Sequence, residues 1–128
     1  MSHENEKFRY GEITEQIIGA AFEVHRILGY GFLEKVYQRA MFVELALRGL
    51  QVAAEEEVCV AYKGHVVGDY SPDLLVNRCV VVELKVAKSY RIEDEAQLLN
   101  ELRVSEMTVG LLINLGRTKV EFKRMAFG

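Results

Sequence analysis

Apolar residues recur at helical spacing through Ile13, Ile17, Ala20, Ala21, Val24 and Leu28, and Gly29-Tyr30-Gly31 then breaks the pattern. A first amphipathic helix is predicted here. The spacing returns from Leu33 to Arg48 through Val36, Tyr37, Ala40, Met41, Val43 and Leu47. Gly49 follows it, where a left-handed helix cap is easiest for a residue without Cβ. From Glu55 the period changes: Val58, Val60 and Tyr62 alternate with Glu57, Cys59 and Ala61, and Lys63-Gly64 offers a tight turn into His65-Val66-Val67. This pattern predicts a hairpin.

Asp73 to Val76 and Cys79 to Lys85 are both apolar and β-branched, and Asn77-Arg78 is short enough to join them as antiparallel neighbours. Val80, Val81 and Val82 leave neither face of the second strand polar, which marks it as central. Ile92 to Ser105 returns to a helical pattern, with Glu93-Asp94-Glu95 in the first turn, where acids suit the helix dipole. Val109 to Asn114 is another continuous apolar strand, and Gly116 turns it into a last segment through Val120, Phe122, Lys123 and Met125. The resulting order, α-α-β-β-β-β-α-β-β, predicts an α/β (α+β) fold in which a mixed sheet is flanked by helices and the third helix crosses between strands of one sheet.

Composition narrows the class. At 128 residues the chain fits one domain, expected over residues 11–128 after a flexible segment at 1–10. Half of it is hydrophobic and 27% is charged, the balance of a globular protein. The longest apolar runs, Ile17 to Phe22 and Val109 to Ile113, fall far short of the roughly 20 residues needed to span a bilayer, so no membrane partner is expected. Met1 to Lys7 are polar without the order of a secretory signal, and Cys59 and Cys79 form no disulfide framework, so a cytoplasmic location is expected. The formal charge of −3 argues against a surface that coats nucleic acid broadly. It leaves room for an enzyme whose site needs carboxylates.

The chemistry concentrates in Asp73 and Glu83-Leu84-Lys85. Glu83 and Lys85 stand two apart, so both project from one face of a strand, and Asp73 sits on its neighbour. Hard cations such as Mg²⁺ take one or two carboxylates, with waters and substrate phosphate completing the shell. Asp73, Glu83 and the Leu84 carbonyl can supply that part, and Lys85 can orient water or steady a negative transition state. An isolated Glu-x-Lys is more often a solvated strand end or an ordinary ion pair. What raises it above that is the neighbouring Asp73, the downstream Gln97 and the upstream Glu34.

These residues resemble a known group. Asp73, Glu83-Leu84-Lys85 and Ala96-Gln97-Leu98-Leu99-Asn100 are similar to the motifs of the PD-(D/E)xK nuclease superfamily, and Gly31-Phe32-Leu33-Glu34-Lys35-Val36-Tyr37 resembles the signature of its GxxExxY proteins. The similarity runs from about Ile13 to Met125. It implies a restriction-endonuclease-like fold, with Glu34 as the helical acid, Asp73 and Glu83 as metal ligands, Lys85 as the catalytic lysine and Gln97 as the glutamine of the following helix. The implied cofactor is Mg²⁺ or Mn²⁺, and Glu34 joins the ligand set. Tyr37, one turn from Glu34, either contacts the site and its substrate or packs as an aromatic that fixes two helices. The family pattern usually carries an aromatic four residues after the glutamine, where this chain has Glu101, a carboxylate that would repel phosphate.

Lys88 and Arg91, just beyond the site strand, are candidates for gripping a phosphate backbone. Arg117, Lys119, Lys123 and Arg124 form a basic cluster that either contacts phosphate or protects a sheet edge. His25 is read as a packed helix residue rather than a site residue. The expected function is metal-dependent hydrolysis of phosphodiester bonds in DNA or RNA. Its alternative is a non-catalytic module that keeps the nuclease fold and binds nucleic acid or protein. A homodimer would serve duplex cleavage, since two symmetry-related sites readily make two cuts.

Overall fold

A computed structural model of the chain describes residues 10–87, 91–105 and 107–126. Helices α1 (Gly11–Leu28) and α2 (Glu34–Leu47) come first, and strands β1 (Val52–Ala54), β2 (Val58–Tyr62), β3 (His65–Tyr70), β4 (Leu74–Val76) and β5 (Val80–Lys85) follow. Helix α3 (Ile92–Ser105) then leads to β6 (Val109–Asn114) and β7 (Glu121–Ala126). Five strands make one mixed sheet in the order β1-β4-β5-β6-β7. Only β5 and β6 run parallel, joined by α3 as a crossover, while the other neighbours in this sheet are antiparallel. The α+β architecture expected from the pattern is therefore present, in the restriction-endonuclease-like arrangement that the resemblance implies.

The central position of β5 follows from its apolar residues, which are buried on both sides. On one side Leu74, Val76, Val80, Val82, Leu84, Leu111 and Ile113 meet Ile17, Val24, Tyr37, Met41 and Leu45 from α1 and α2. On the other, Leu75, Val81 and Leu112 meet Leu98 and Leu102 of α3. Gly110 allows that approach, because a Cβ there would stand 3.3 Å from the side chains of both leucines. The turns behave as their residues predict. Asn77 and Arg78 have φ of 50° and 55°, and Lys63 and Gly64 have φ of 49° and 80°, the paired positive values of tight hairpin turns.

Three features depart from the sequence reading. Strand β1 was not expected, since three residues without alternation carry no strand signal; it exists because Val52 to Ala54 pair with Val76 to Leu74. The β2–β3 hairpin does not join the main sheet but forms a separate two-stranded one, with a register shift at Val60/Ala61. Asp73 lies just before β4 rather than within it. The expected flexible segment at 1–10 lies, apart from Tyr10, outside the described residues. Among the described residues no helix is long and apolar enough to cross a membrane.

Candidate active site

The site begins with the three-residue connection Asn77-Arg78-Cys79 between β4 and β5. Leu74 pairs with Val82, so continuing the register brings Asp73 opposite Glu83. The pairing there passes through side chains. The Asp73 amide donates to Glu83 Oε1 at 3.3 Å, and the Leu84 amide donates to Asp73 Oδ2 at 2.7 Å. From α2, the buried Gln38 donates its side-chain amide to the Asp73 carbonyl at 2.9 Å. The amide, carbonyl and carboxylate of Asp73 are thus each held.

Strand alternation does the rest. Leu84 is buried against α1 and α2, while Glu83 and Lys85 extend the row of Val81 toward α3. Glu83, Lys85, Asp94, Gln97 and Glu101 surround a shallow cavity of about 30 Å³ over Leu98 and Leu112. That is room for about one water or ion. Lys85 Nζ stands 3.9 Å from Asp94 Oδ1, and Gln97 donates to Glu101 Oε1 at 3.3 Å. Asp94 also accepts the Arg91 amide at 2.8 Å, closing the start of α3 as the side chain of a capping box does. Behind Lys85, the buried Asn114 binds Ala87 through both its amide groups and so anchors the segment that leaves β5.

The carboxylates crowd one another. Burial, followed by the charges of Asp73 and Glu101, pushes the Glu83 carboxyl up to about 8. Burial also raises Asp73, against the opposing Leu84 hydrogen bond and the Lys85 charge. Glu34 is raised by burial and then by Asp73, and Glu101 by burial despite its bond from Gln97. Tyr70, raised chiefly by burial, donates to Ser105 Oγ at 3.4 Å near the same acids. Negative charge held this close, with Lys85 as its shared cation, is what a bound divalent ion would relieve. Among the described residues, no three Asp, Glu, His or Cys side chains are grouped to hold one ion. The oxygen donors here are the two carboxylates of Asp73 and Glu83, the number a hard cation takes when waters and phosphate complete its shell.

The other candidates separate clearly. Glu34, at the start of α2, is electrostatically coupled to Asp73 and Lys85. Tyr37 is fully buried; its hydroxyl donates to the Gly29 carbonyl at 2.7 Å and accepts the Phe32 amide at 3.3 Å. It ties down the turn ahead of Glu34 and has no surface to offer a phosphate, which corrects the expected substrate contact. Arg91 is exposed beside Glu93, 3.2 Å away, and Lys88 lies outside the described residues. His25 donates to the Arg117 carbonyl at 2.6 Å, bridging α1 to the β6–β7 turn, as a structural histidine would. Gln38, Asp94 and Tyr70 were not anticipated. Gln38 left one trace, a polar residue among the otherwise apolar positions Tyr37, Met41 and Leu45 that α2 buries.

A mixed sheet with a carboxylate pair and a lysine at the end of its central strand defines a nuclease-type α+β domain. The chain belongs to the PD-(D/E)XK nuclease superfamily, whose family model matches residues 11–125. Among solved structures it is similar to the crystal structure of SSO0001, with a TM-score of 0.56 and 17% identity over 94% of this chain and 61% of that one. At that identity the likeness concerns the fold, and this chain spans less than two thirds of that protein's length. Among curated proteins none matches significantly.

Proposed function

We propose that the chain is a metal-dependent nuclease of the GxxExxY branch that hydrolyses phosphodiester bonds of DNA or RNA. The observation that carries this reading is the hydrogen-bonded convergence of Asp73 with Glu83 beside Lys85 at the end of β5. Asp73, Glu83 and the Leu84 carbonyl would hold Mg²⁺ or Mn²⁺, with Glu34 close enough electrostatically to reinforce the charge. When bound, the cation supplies Lewis-acid polarisation of the phosphoryl oxygens. Lys85 orients the attacking water and stabilises charge that develops on the phosphate. Gln97 holds Glu101 to one side, and Gln38 fixes the backbone from which the Asp73 carboxylate extends.

One observation favours a second reading, a binding module on the same fold: Glu101 faces the cavity and adds a carboxylate where phosphate would enter. Cleavage of single-stranded, duplex and branched DNA and RNA in Mg²⁺ or Mn²⁺ separates the two. Cutting by the wild type, absent from identically purified Asp73→Ala and Lys85→Ala proteins, is the expected result; equal behaviour of all three proteins would leave only the module. A homodimer with two sites and a cytoplasmic location belong to the nuclease reading, and sedimentation of the active species tests the first.

A further inference from the structure

A groove of about 370 Å³ lies between α2 and the end of β1; Lys35, Arg39, Phe42, Val43 and Ala54 line it, with Gln38 and one carboxylate, Glu55. Its helical members are spaced so that they share one stripe of α2. The stripe is cationic toward the helix N-terminus and apolar beyond. Arg39 is exposed and makes no hydrogen bond or ion pair among the described residues, whereas Arg26, Arg48, Arg78, Arg91 and Arg117 each meet a carboxylate. Lys35 is paired 3.0 Å from the exposed Glu55, a contact that water weakens and a phosphate can replace. Phe42 and Val43 remain 37% and 56% exposed, apolar surface beside these charges in the same groove.

An unpaired guanidinium, an exchangeable ammonium and an open aromatic ring match an anionic chain that carries flat apolar groups. We infer that this groove binds a single-stranded segment of DNA or RNA, with phosphates at Arg39 and Lys35 and a base against Phe42. A duplex cannot offer a base face to the ring, because its bases are stacked on one another. Gln38 links the groove to the candidate site, since it lines the groove and donates to the Asp73 carbonyl, and Lys35 adjoins Glu34. The inference rests on the nuclease reading for its purpose, although not for its chemistry.

The test is fluorescence anisotropy of the full chain without metal, using labelled dT12, rU12 and a 12-base-pair duplex. Wild-type protein should prefer the single strands, and comparison of dT12 with rU12 tells which sugar the groove takes. Arg39→Ala should weaken single-strand binding about 5- to 20-fold and reduce the slope of log affinity against log salt by about 0.7. Phe42→Ala should weaken it about 10-fold, whereas Arg26→Ala should match wild type. Unchanged affinity in Arg39→Ala, or no binding of any oligonucleotide, overturns the inference even if Phe42→Ala misfolds. A concentration-dependent dimer in sedimentation that Arg39→Ala or Phe42→Ala dissociates, without oligonucleotide binding, assigns the groove to a second copy and also overturns it. Cleavage is scored separately in Mg²⁺. Arg39-sensitive binding by a protein that never cuts keeps the groove and sinks the nuclease reading, while cutting abolished by Asp73→Asn with Arg39-insensitive binding does the reverse.

Discussion

The two faces of β5 carry different chemistry. Toward α1 and α2, Val80, Val82 and Leu84 enter an apolar core that holds no carboxylate or ammonium. Toward α3, Val81 begins the same way, but Glu83 and Lys85 replace the next apolar contacts with charges at the mouth of a small cavity. A strand can do both because its side chains alternate with period two. One face supplies the free energy that keeps the other in an arrangement it would not adopt alone.

Breaking the apolar face should have the largest effect on stability. Leu84→Ala, removing a side chain that is 1% exposed, should cost about 2–5 kcal/mol, read as a fall in the urea midpoint. On the opposite face, Lys85→Ala should reduce metal-dependent cleavage by about 100-fold or more, since under the proposed function it removes the charge that would meet the reacting phosphate. Its melting temperature should move far less than that of Leu84→Ala. If both variants lost stability equally, the division of labour between the faces would be wrong.

Glu83→Gln sharpens the contrast in the other direction, because it should stabilise the protein. The carboxyl titrates near 8 in the folded chain against an ordinary 4.5, so between these values the folded state keeps a proton that the unfolded state has released. Wild-type stability therefore falls as pH rises from about 4.5 to 8, and the glutamine variant escapes that loss. A pKa unit corresponds to about 1.4 kcal/mol, and partial exposure reduces the effect, leaving a gain of about 1–3 kcal/mol at pH 8.5. Thermal melts at pH 8.5 and 4.5 check it, with the difference nearly gone at the lower pH. Bound Mg²⁺ should erase the advantage, because the ion stabilises the wild type by preferential binding.

The smallest expected effect is that of Gln38→Leu. Its loss leaves the Asp73 carbonyl without that partner and should cost about 1 kcal/mol. The informative readout is metal affinity, followed as the Mn²⁺-induced rise in melting temperature, which should shrink in Gln38→Leu and return in part with Gln38→Asn only if the shorter amide reaches.

What the sequence disclosed follows the range of the interactions involved. Helices α1 and α2 were legible because their apolar stripes and the glycines that end them, Gly29 and Gly49, are local. The same holds for the Asn77-Arg78 turn, and for the central strands, whose runs of Val, Leu and Ile leave no polar face. Strand β1 was hidden because its extended form follows from pairing with β4, which is distant in sequence. The separate hairpin was hidden because Val66 and Val67 look like core residues and are 70% and 62% exposed. At the site, Asp73, Glu83 and Lys85 were readable from their residue types and spacing. The grip of Gln38 on Asp73 crosses 35 positions of sequence, and the place of Asp94 beside Lys85 depends on how α3 docks, so no local pattern could announce either.

The Asn77-Arg78 turn carries a consequence for how such a chain can vary over evolutionary time. Most surface turns tolerate insertion, since lengthening a loop costs little entropy. This one acts as a ruler: Asn77 and Arg78 with the following Cys79 make the three-residue count that brings Asp73 opposite Glu83. A single inserted residue that slipped the register would turn Glu83 and Lys85 toward the apolar layer and Leu84 toward the cavity. Drift in length is thus disfavoured at a surface turn that does not itself line the cavity.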